Sequence, residues 1–299
     1  MKILVLGGSG LIGDNFITNS KSHDIITTYK NNETKFSNIV SVKIDLPQDW
    51  EKLQDLFQKE KPDVVLNSIA YSNSDFCEKN KKDTFALHVN ITDKMTELCK
   101  KINSKIVFLS TDYVFDGKKG RYTENDKTNP INYYGYTKDL AEKIILKNEN
   151  NLVLRTSMVY GSSSKVRFLR YVIENLKDSQ EINAYNDIFN SATLLDDLTN
   201  GILKAIHTNA SGIFHMVGSS CVSRFDFAKT VAEIFGFDKN LVKPTSIISA
   251  KLDAQRPVDP CLDNSKATKE FGVKFSSINE GIKQVYKKRS ELGIFDIEN

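Results

Sequence analysis

Short apolar runs and amphipathic stretches alternate through the first half of the chain. Ile3-Leu4-Val5-Leu6 places a strand over Lys2–Leu6, and Leu11, Ile12, Phe16 and Ile17 follow at helical spacing to about Asn19. Ile25–Tyr29 and Val40–Ile44 read as the second and third strands. A helix around Trp50–Lys59 comes next, with Trp50, Leu53, Leu56 and Phe57 on one face. Val64–Asn67 is a fourth strand, and Thr84–Lys101 a helix with Leu87, Ile91, Met95 and Leu98 in line. Ile106–Ser110 is a fifth strand, Tyr134–Lys147 a helix and Leu152–Arg155 a sixth strand. Strands this short and this uniformly apolar are covered on both faces, so the alternation predicts an α/β fold with a doubly wound parallel sheet. After about Thr156 the pattern loosens. Helices are expected at Lys165–Leu176, Leu195–His207, Ser223–Phe235 and Ile278–Arg289, with a short strand at Gly212–Met216.

The first strand runs directly into Gly7-Gly8-Ser9-Gly10-Leu11-Ile12-Gly13, which reads both as G-x-x-G-x-x-G and as G-x-G-x-x-G. A strand, a glycine turn and a helix start form a cradle for a dinucleotide pyrophosphate. The glycines permit the tight turn, the approach of the phosphates and close helix–strand packing, and the helix start offers free N–H groups and a positive dipole end. A nucleophile elbow needs G-x-S-x-G, but Leu11 stands where its last glycine belongs. The expected organisation is therefore a Rossmann nucleotide-binding domain over 1–155. A smaller, mostly helical substrate-binding region over 156–299 follows, with segments returning to the sheet.

Bulk properties narrow the partners. At 299 residues, 40% hydrophobic and 26% charged, the chain has the make-up of an ordinary globular protein with ample core. A net charge of +3 is too small to call for nucleic acid or an anionic membrane. The Lys-rich stretches at 79–82 and 287–289 read as solvated helix faces. Cys77, Cys99, Cys221 and Cys261 make no C-x-x-C pair, so no metal site is expected, and they scatter without framework spacing. Reduced thiols in a cytoplasm are the expectation, with neither a signal segment nor a membrane span.

Three features carry chemistry. Tyr134 and Lys138 lie four residues apart on one helix face. A neighbouring ammonium lowers the pKa of a phenol, ordinarily about 10, and so tunes it for proton transfer. An i,i+4 surface pair is the plain alternative. Ser110-Thr111-Asp112 closes the fifth strand, where ligands of open α/β sheets bind, although a strand-end turn would use the same residues. Asn90, midway along its helix, is either a buried bridge between helix and sheet or an exposed residue.

Together these residues resemble the extended short-chain dehydrogenase/reductase superfamily. Ser110-Thr111-Asp112-Tyr113-Val114-Phe115-Asp116-Gly117, Tyr134-Gly135-Tyr136-Thr137-Lys138 and Arg155-Thr156-Ser157-Met158-Val159-Tyr160-Gly161 are similar to the dTDP-4-dehydrorhamnose reductase family. So are Asn67-Ser68-Ile69-Ala70-Tyr71, Val89-Asn90 and Arg256-Pro257 with Leu262-Asp263, so the resemblance covers nearly the whole chain. It implies hydride transfer from a reduced nicotinamide to the 4-keto group of a nucleotide-linked deoxysugar. Thr111 would orient the carbonyl, Tyr134 would donate the proton, and Lys138 would hold the nicotinamide ribose and depress the Tyr134 pKa. Cofactor contacts would come from Gly7, Gly10, Leu11, Ile12 and Gly13, from Lys30, Asp45, Asn67 and Ala70, and from Tyr134 and Lys138. Substrate contacts would come from Tyr113, Val114, Met158 and Arg256. Arg256 is the candidate for the substrate pyrophosphate because its fork matches phosphate oxygens, with a surface salt bridge as the alternative. A homodimer is compatible with this reading.

Two departures fall where the sugar should be read. Met158 replaces an aromatic residue usual in the family. Asp187-Ile188-Phe189-Asn190-Ser191-Ala192-Thr193 replaces D-Q-x-G-x-P-T, and Ala192 cannot copy the fixed φ of proline. The second strand ends Thr27-Thr28-Tyr29-Lys30, without the carboxylate that reads a ribose 2′-hydroxyl, and Lys30 suits a 2′-phosphate. NADPH is therefore expected over NADH. An epimerase or dehydratase with tightly held NAD and a non-catalytic binding subunit on the same scaffold are the competing functions.

Overall fold

The computed structural model describes residues 1–294 apart from 21, 34–35 and 37–38. Lys2–Leu6 (β1), Leu11–Asn19 (α1), Asp24–Tyr29 (β2), Val40–Lys43 (β3), Trp50–Glu60 (α2) and Val64–Asn67 (β4) follow the hydrophobic pattern within a residue or two. Ser74–Lys79 (α3) and Lys81–Phe85 (α4) come next. A π-helical turn over Ala86–Asn90 then joins α4 to Ile91–Lys101 (α5), so the expected single helix has an irregular middle. Asn90 is exposed there and His88 is the buried polar residue. Lys105–Thr111 (β5), Tyr133–Ile145 (α6) and Leu152–Thr156 (β6) complete the alternation.

The second half adds strands too short for a periodic signal, Val159–Tyr160 (β7), Ile182–Tyr185 (β8), Phe189–Ser191 (β9) and Thr193–Leu194 (β10), together with Phe168–Lys177 (α7), close to the expected helix at Lys165–Leu176. Leu195–His207 (α8), Gly212–His215 (β11), Cys221–Ser223 (β12), Arg224–Phe235 (α9), Val242–Thr245 (β13), Ser265–Phe271 (α10) and Ile278–Lys287 (α11) follow.

Seven strands form one parallel sheet in the order β11-β6-β5-β4-β1-β2-β3. Strand side chains alternate between faces. Ile3 and Val5 join Phe16, Leu198 and Ile202 on one side, while Leu4 and Leu6 join Leu53, Phe57, Met95 and Ala141 on the other. Thus α8 and β11, from beyond residue 156, cover and extend the same sheet. A second apolar cluster holds Val172, Ile182, Phe227, Val231 and Ile282. Strand order reverses between β1 and β4, so a crevice opens at the carboxyl ends of these two strands.

A buried polar cluster pins α6 to the sheet. The Arg155 guanidinium donates to both Glu142 carboxylate oxygens, with Nη2 to Oε2 at 2.7 Å, and Ser110 Oγ donates to Glu142 Oε1 at 2.5 Å. Removing one partner of such a buried pair costs about 3–5 kcal/mol. The cysteine expectation is corrected in part. Cys221 and Cys261 form a disulfide across 40 residues of chain, while Cys77 and Cys99 are free and buried. The intervening segment folds back so that Cys261 meets the edge of β12, a juxtaposition that spacing does not encode. None of the described helices is long and apolar enough to cross a membrane.

Candidate active site

The glycine loop sits at the crevice. Gly7 has φ +85°, a conformation side chains rarely adopt, and it turns the chain away from β1. A Cβ on Gly13 would lie 2.5 Å from the Gly7 carbonyl oxygen, so only glycine lets α1 start this close to the strand. Gly10 caps α1 without a side-chain hydrogen bond, and the first helical bond runs from Asp14 N to Gly10 O. The N–H groups of Leu11, Ile12 and Gly13 therefore keep no helical acceptor. Leu11 and Ile12 bring only these backbone donors to the loop, because their side chains pack into the two cores.

A cavity of about 230 Å³ adjoins the loop, lined by Gly7, Ser9, Gly10, Thr28, Lys30, Asp45, Ala70 and Tyr71 among others. Lys30 Nζ pairs with Asp45 Oδ1 at 2.8 Å, which holds the lysine above its ordinary pKa. Asp45, just past β3, thus brings a carboxylate to the cavity rim beside Lys30. Asn67 does not line this cavity. Its Oδ1 accepts from Ile69 N at 3.1 Å and shapes the turn after β4.

A neighbouring cavity of about 260 Å³ collects Thr111, Asp112, Tyr113, Tyr134, Ser157, Met158, Asn190 and Arg224. Thr111 makes the strand-end turn and also lines this cavity. Its hydroxyl accepts from Tyr113 N at 3.2 Å, and it is a hydrogen-bonding neighbour of the Tyr134 phenol. Asp112 is fully buried behind it. Its carboxylate accepts from Thr111 Oγ1 at 3.0 Å, Ser157 Oγ at 2.6 Å and Asn190 Nδ2 at 3.1 Å, while burial pushes its pKa up to about 6. Neither Ser157 nor Asn190 was assigned to the site from the sequence, yet they fix the carboxylate beside Thr111. Tyr113 packs edge-on to Tyr134, with ring centroids 5.9 Å apart. Met158 has φ +36°, so the departure from the family pattern falls at a left-handed backbone position inside the cavity.

Lys138 corrects the simple electrostatic picture. It lies one turn below Tyr134, but its Nζ donates to the Leu109 carbonyl at 2.6 Å and sits 3.8 Å from the centre of the Phe108 ring. Burial lowers its pKa to about 7, with Glu142 pulling the other way. Burial also raises the Tyr134 pKa, and Lys138 is not among the groups that oppose this rise. A buried phenol one helical turn from a buried amine responds first to desolvation. The outcome is a phenol that stays protonated at neutral pH.

Val114 and Arg256 are not among the residues lining the cavity of Thr111 and Tyr134. Val114 is wholly buried in a small cluster with Phe115, Tyr122, Val217 and Leu262. Arg256 spends its fork on Asp75, with Nη2 to Oδ2 at 2.6 Å, and on the Ala254 carbonyl at 2.8 Å, so the salt-bridge alternative is the one observed. Sequence reasoning passed over His88, whose Nε2 accepts from Tyr71 N at 2.9 Å and whose Nδ1 contacts Thr137 Oγ1 at 2.9 Å. This ring ties the turn after β4 to the helix that carries Tyr134.

The RmlD substrate binding domain family model matches residues 1–291. The chain belongs to this family. It is 29% identical over 238 residues to a dTDP-4-dehydrorhamnose reductase of Aggregatibacter actinomycetemcomitans, a match covering 75% of this chain and 81% of that protein. Among solved structures, a hypothetical dTDP-4-dehydrorhamnose reductase from Sulfolobus tokodaii superposes with a TM-score of 0.83 at 33% identity, covering 93% of this chain and 97% of that one. The Bacillus anthracis dTDP-4-dehydrorhamnose reductase in complex with NADP gives a TM-score of 0.86 at 24% identity, over 96% of this chain and 99% of that chain, and shares its fold.

Proposed function

We propose that the protein is an NADPH-dependent oxidoreductase that reduces the 4-keto group of a nucleotide-linked deoxysugar. The observation that carries this reading is the shared cavity of Thr111 and Tyr134 beside the crevice of the glycine loop. The cradle suits a dinucleotide: Gly13 leaves no room for a side chain, and the start of α1 keeps three N–H groups without helical acceptors. Lys30 at the rim, partly offset by Asp45, favours a 2′-phosphate.

A nicotinamide dinucleotide held by the glycine loop would supply a hydride. Tyr134, held neutral by burial, donates its proton to the carbonyl oxygen as negative charge develops there. Thr111 orients the same oxygen, and Asp112 fixes Thr111. Lys138, its pKa lowered by burial to about 7, holds or releases a proton behind the phenol. The relatives named as dTDP-4-dehydrorhamnose reductases support this chemistry.

The test is NADPH oxidation against a panel of nucleotide-linked 4-keto-6-deoxy sugars. Turnover is expected with at least one of them, with Tyr134→Phe losing about 10²–10⁴-fold in kcat while still binding NADPH. No oxidation with any member of the panel, or wild-type rates in Tyr134→Phe, overturns the proposal.

A further inference from the structure

The geometry points to Arg224 as the anchor of a nucleoside diphosphate, with the aromatic groove beside it receiving the base. Arg224 opens α9 and is the one residue that lines both the cavity of Thr111 and Tyr134 and an adjoining cavity of about 470 Å³. The second cavity is walled by Arg167, Phe168, Tyr171, Asn183 and Tyr185. A substrate with its sugar at Tyr134 and its base in this groove must pass its linking phosphates across Arg224. This inference rests on the reductase reading above and identifies the residue that would hold the linking group.

The state of the guanidinium supports the assignment. Arg155, Arg170 and Arg256 each pair with a carboxylate at 2.6–2.7 Å. Arg224 has no hydrogen bond or ion pair to any described residue, and its guanidinium lies 4.5 Å from the centre of the Phe168 ring. Stacking on an aromatic face leaves the edge of the fork, with its donors, available to an anion. An unpaired arginine is costly in a largely buried place, and a diphosphate removes that cost with charge-assisted bidentate bonds.

The surroundings add to this. Ser223 Oγ caps α9 through Asp226 N at 3.0 Å, so the N–H groups of Arg224 and Phe225 at the positive end of the helix remain without helical acceptors. Arg167, exposed at the start of α7 and without a carboxylate partner among the described residues, is a second cation on the far wall. Tyr171 and Phe168 stack with centroids 6.4 Å apart and leave Tyr171 about half exposed, a surface on which a planar base can lie.

Calorimetric titration of the full chain with dTDP, UDP, inorganic pyrophosphate and NADP⁺ tests this. Arg224→Gln is expected to weaken dTDP or UDP and pyrophosphate by about 30–100-fold and to leave NADP⁺ within about twofold. Arg256→Gln should change the nucleoside diphosphate by less than about threefold. Tyr171→Ala should weaken the nucleoside diphosphate by about tenfold and leave pyrophosphate unchanged. Nucleoside diphosphate bound equally by wild type and Arg224→Gln overturns the assignment of Arg224 and leaves the reductase reading standing. A wild type that binds neither dTDP nor UDP overturns both. If Arg224→Gln also loses NADP⁺, Arg224→Lys decides: binding about fivefold weaker than wild type supports the fork, and wild-type strength overturns it.

Discussion

Lys138 and Leu109 are joined by a 2.6 Å hydrogen bond from the lysine Nζ to the carbonyl oxygen of β5. The bond satisfies one donor of a buried ammonium in a place where burial already favours the neutral amine. The lysine is therefore poised between two protonation states, and the cost of charging it falls on the folded state.

That cost has a definite pH signature. The folded pKa lies near 7, below the ordinary 10.5 of the unfolded chain. Between these values the unfolded chain binds more protons, so this group makes stability rise with pH through that window. Below about pH 7 the full penalty is present, on the order of a few kcal/mol. Lys138→Met should therefore stabilise the protein at pH 6, and the gain should shrink as pH rises from 7 towards 10. Denaturant unfolding of both proteins at several pH values measures the difference. A gain that does not change with pH contradicts the buried-charge account.

The proposed preference for NADPH rests on two residues that no single stretch of sequence brings together. Lys30 follows β2 and Asp45 follows β3, and they meet at 2.8 Å on the cavity rim. Lys30→Glu should lower the NADPH-to-NADH preference by at least about tenfold. Asp45→Asn should raise it, because the lysine is then free for a 2′-phosphate. The two variants are compared by kcat/KM with each cofactor. Opposite directions are the expected result, and a shift of the same sign in both removes the pair from the selectivity argument.

The parts legible in the sequence are those carried by local pattern. The β-α alternation and the strand–glycine–helix cradle depend on hydrophobic periodicity and on short-range sterics, so they read directly. Thr111 and Tyr134 were recognisable because strand ends and helix spacing place them. The Arg256–Asp75 pair was not legible because the two residues lie 181 positions apart, and no pattern announces that contact. Arg224 escaped for a related reason: an arginine at a helix start looks like any surface cation until two cavities are seen to share it. Lys138 was read with the right place and the wrong electrostatics, since burial is a property of the whole fold. Cys221 and Cys261 look unrelated until the chain folds back on β12.

Asp112 should separate stability from activity. Its folded pKa of about 6 lies above the ordinary 3.8. The folded state therefore binds the extra proton in that window, and this group makes stability rise as pH falls from about 6 towards 4. Activity should move the other way. Both carboxylate oxygens accept from Thr111, Ser157 or Asn190, and a protonated acid must reverse or give up one of these bonds. Loss of kcat below about pH 6 in the wild type, together with a lower but flat profile in Asp112→Asn, is the expected pair of results. An unchanged acidic limb in Asp112→Asn assigns the limb to another group.

The Cys221–Cys261 bond closes a loop with a sequence separation of 40, and chain entropy alone gives such a closure about 4 kcal/mol, at the upper end of the usual 2–4. It also fixes β12, which leads directly into Arg224, to the segment that carries Arg256 and Asp259. Cys221→Ser should therefore lower stability by about 2–4 kcal/mol under oxidising conditions. Cys77 and Cys99 are free and buried, and they contribute no second bridge among the described residues. Thermal unfolding with and without dithiothreitol gives the test. The wild-type melting temperature should fall on reduction to that of Cys221→Ser, and the variant should not respond. A wild type indifferent to reductant would show that the bridge does not form in solution, and the position of Arg224 would then rest on the β9–β12 pairing and the α9 packing alone.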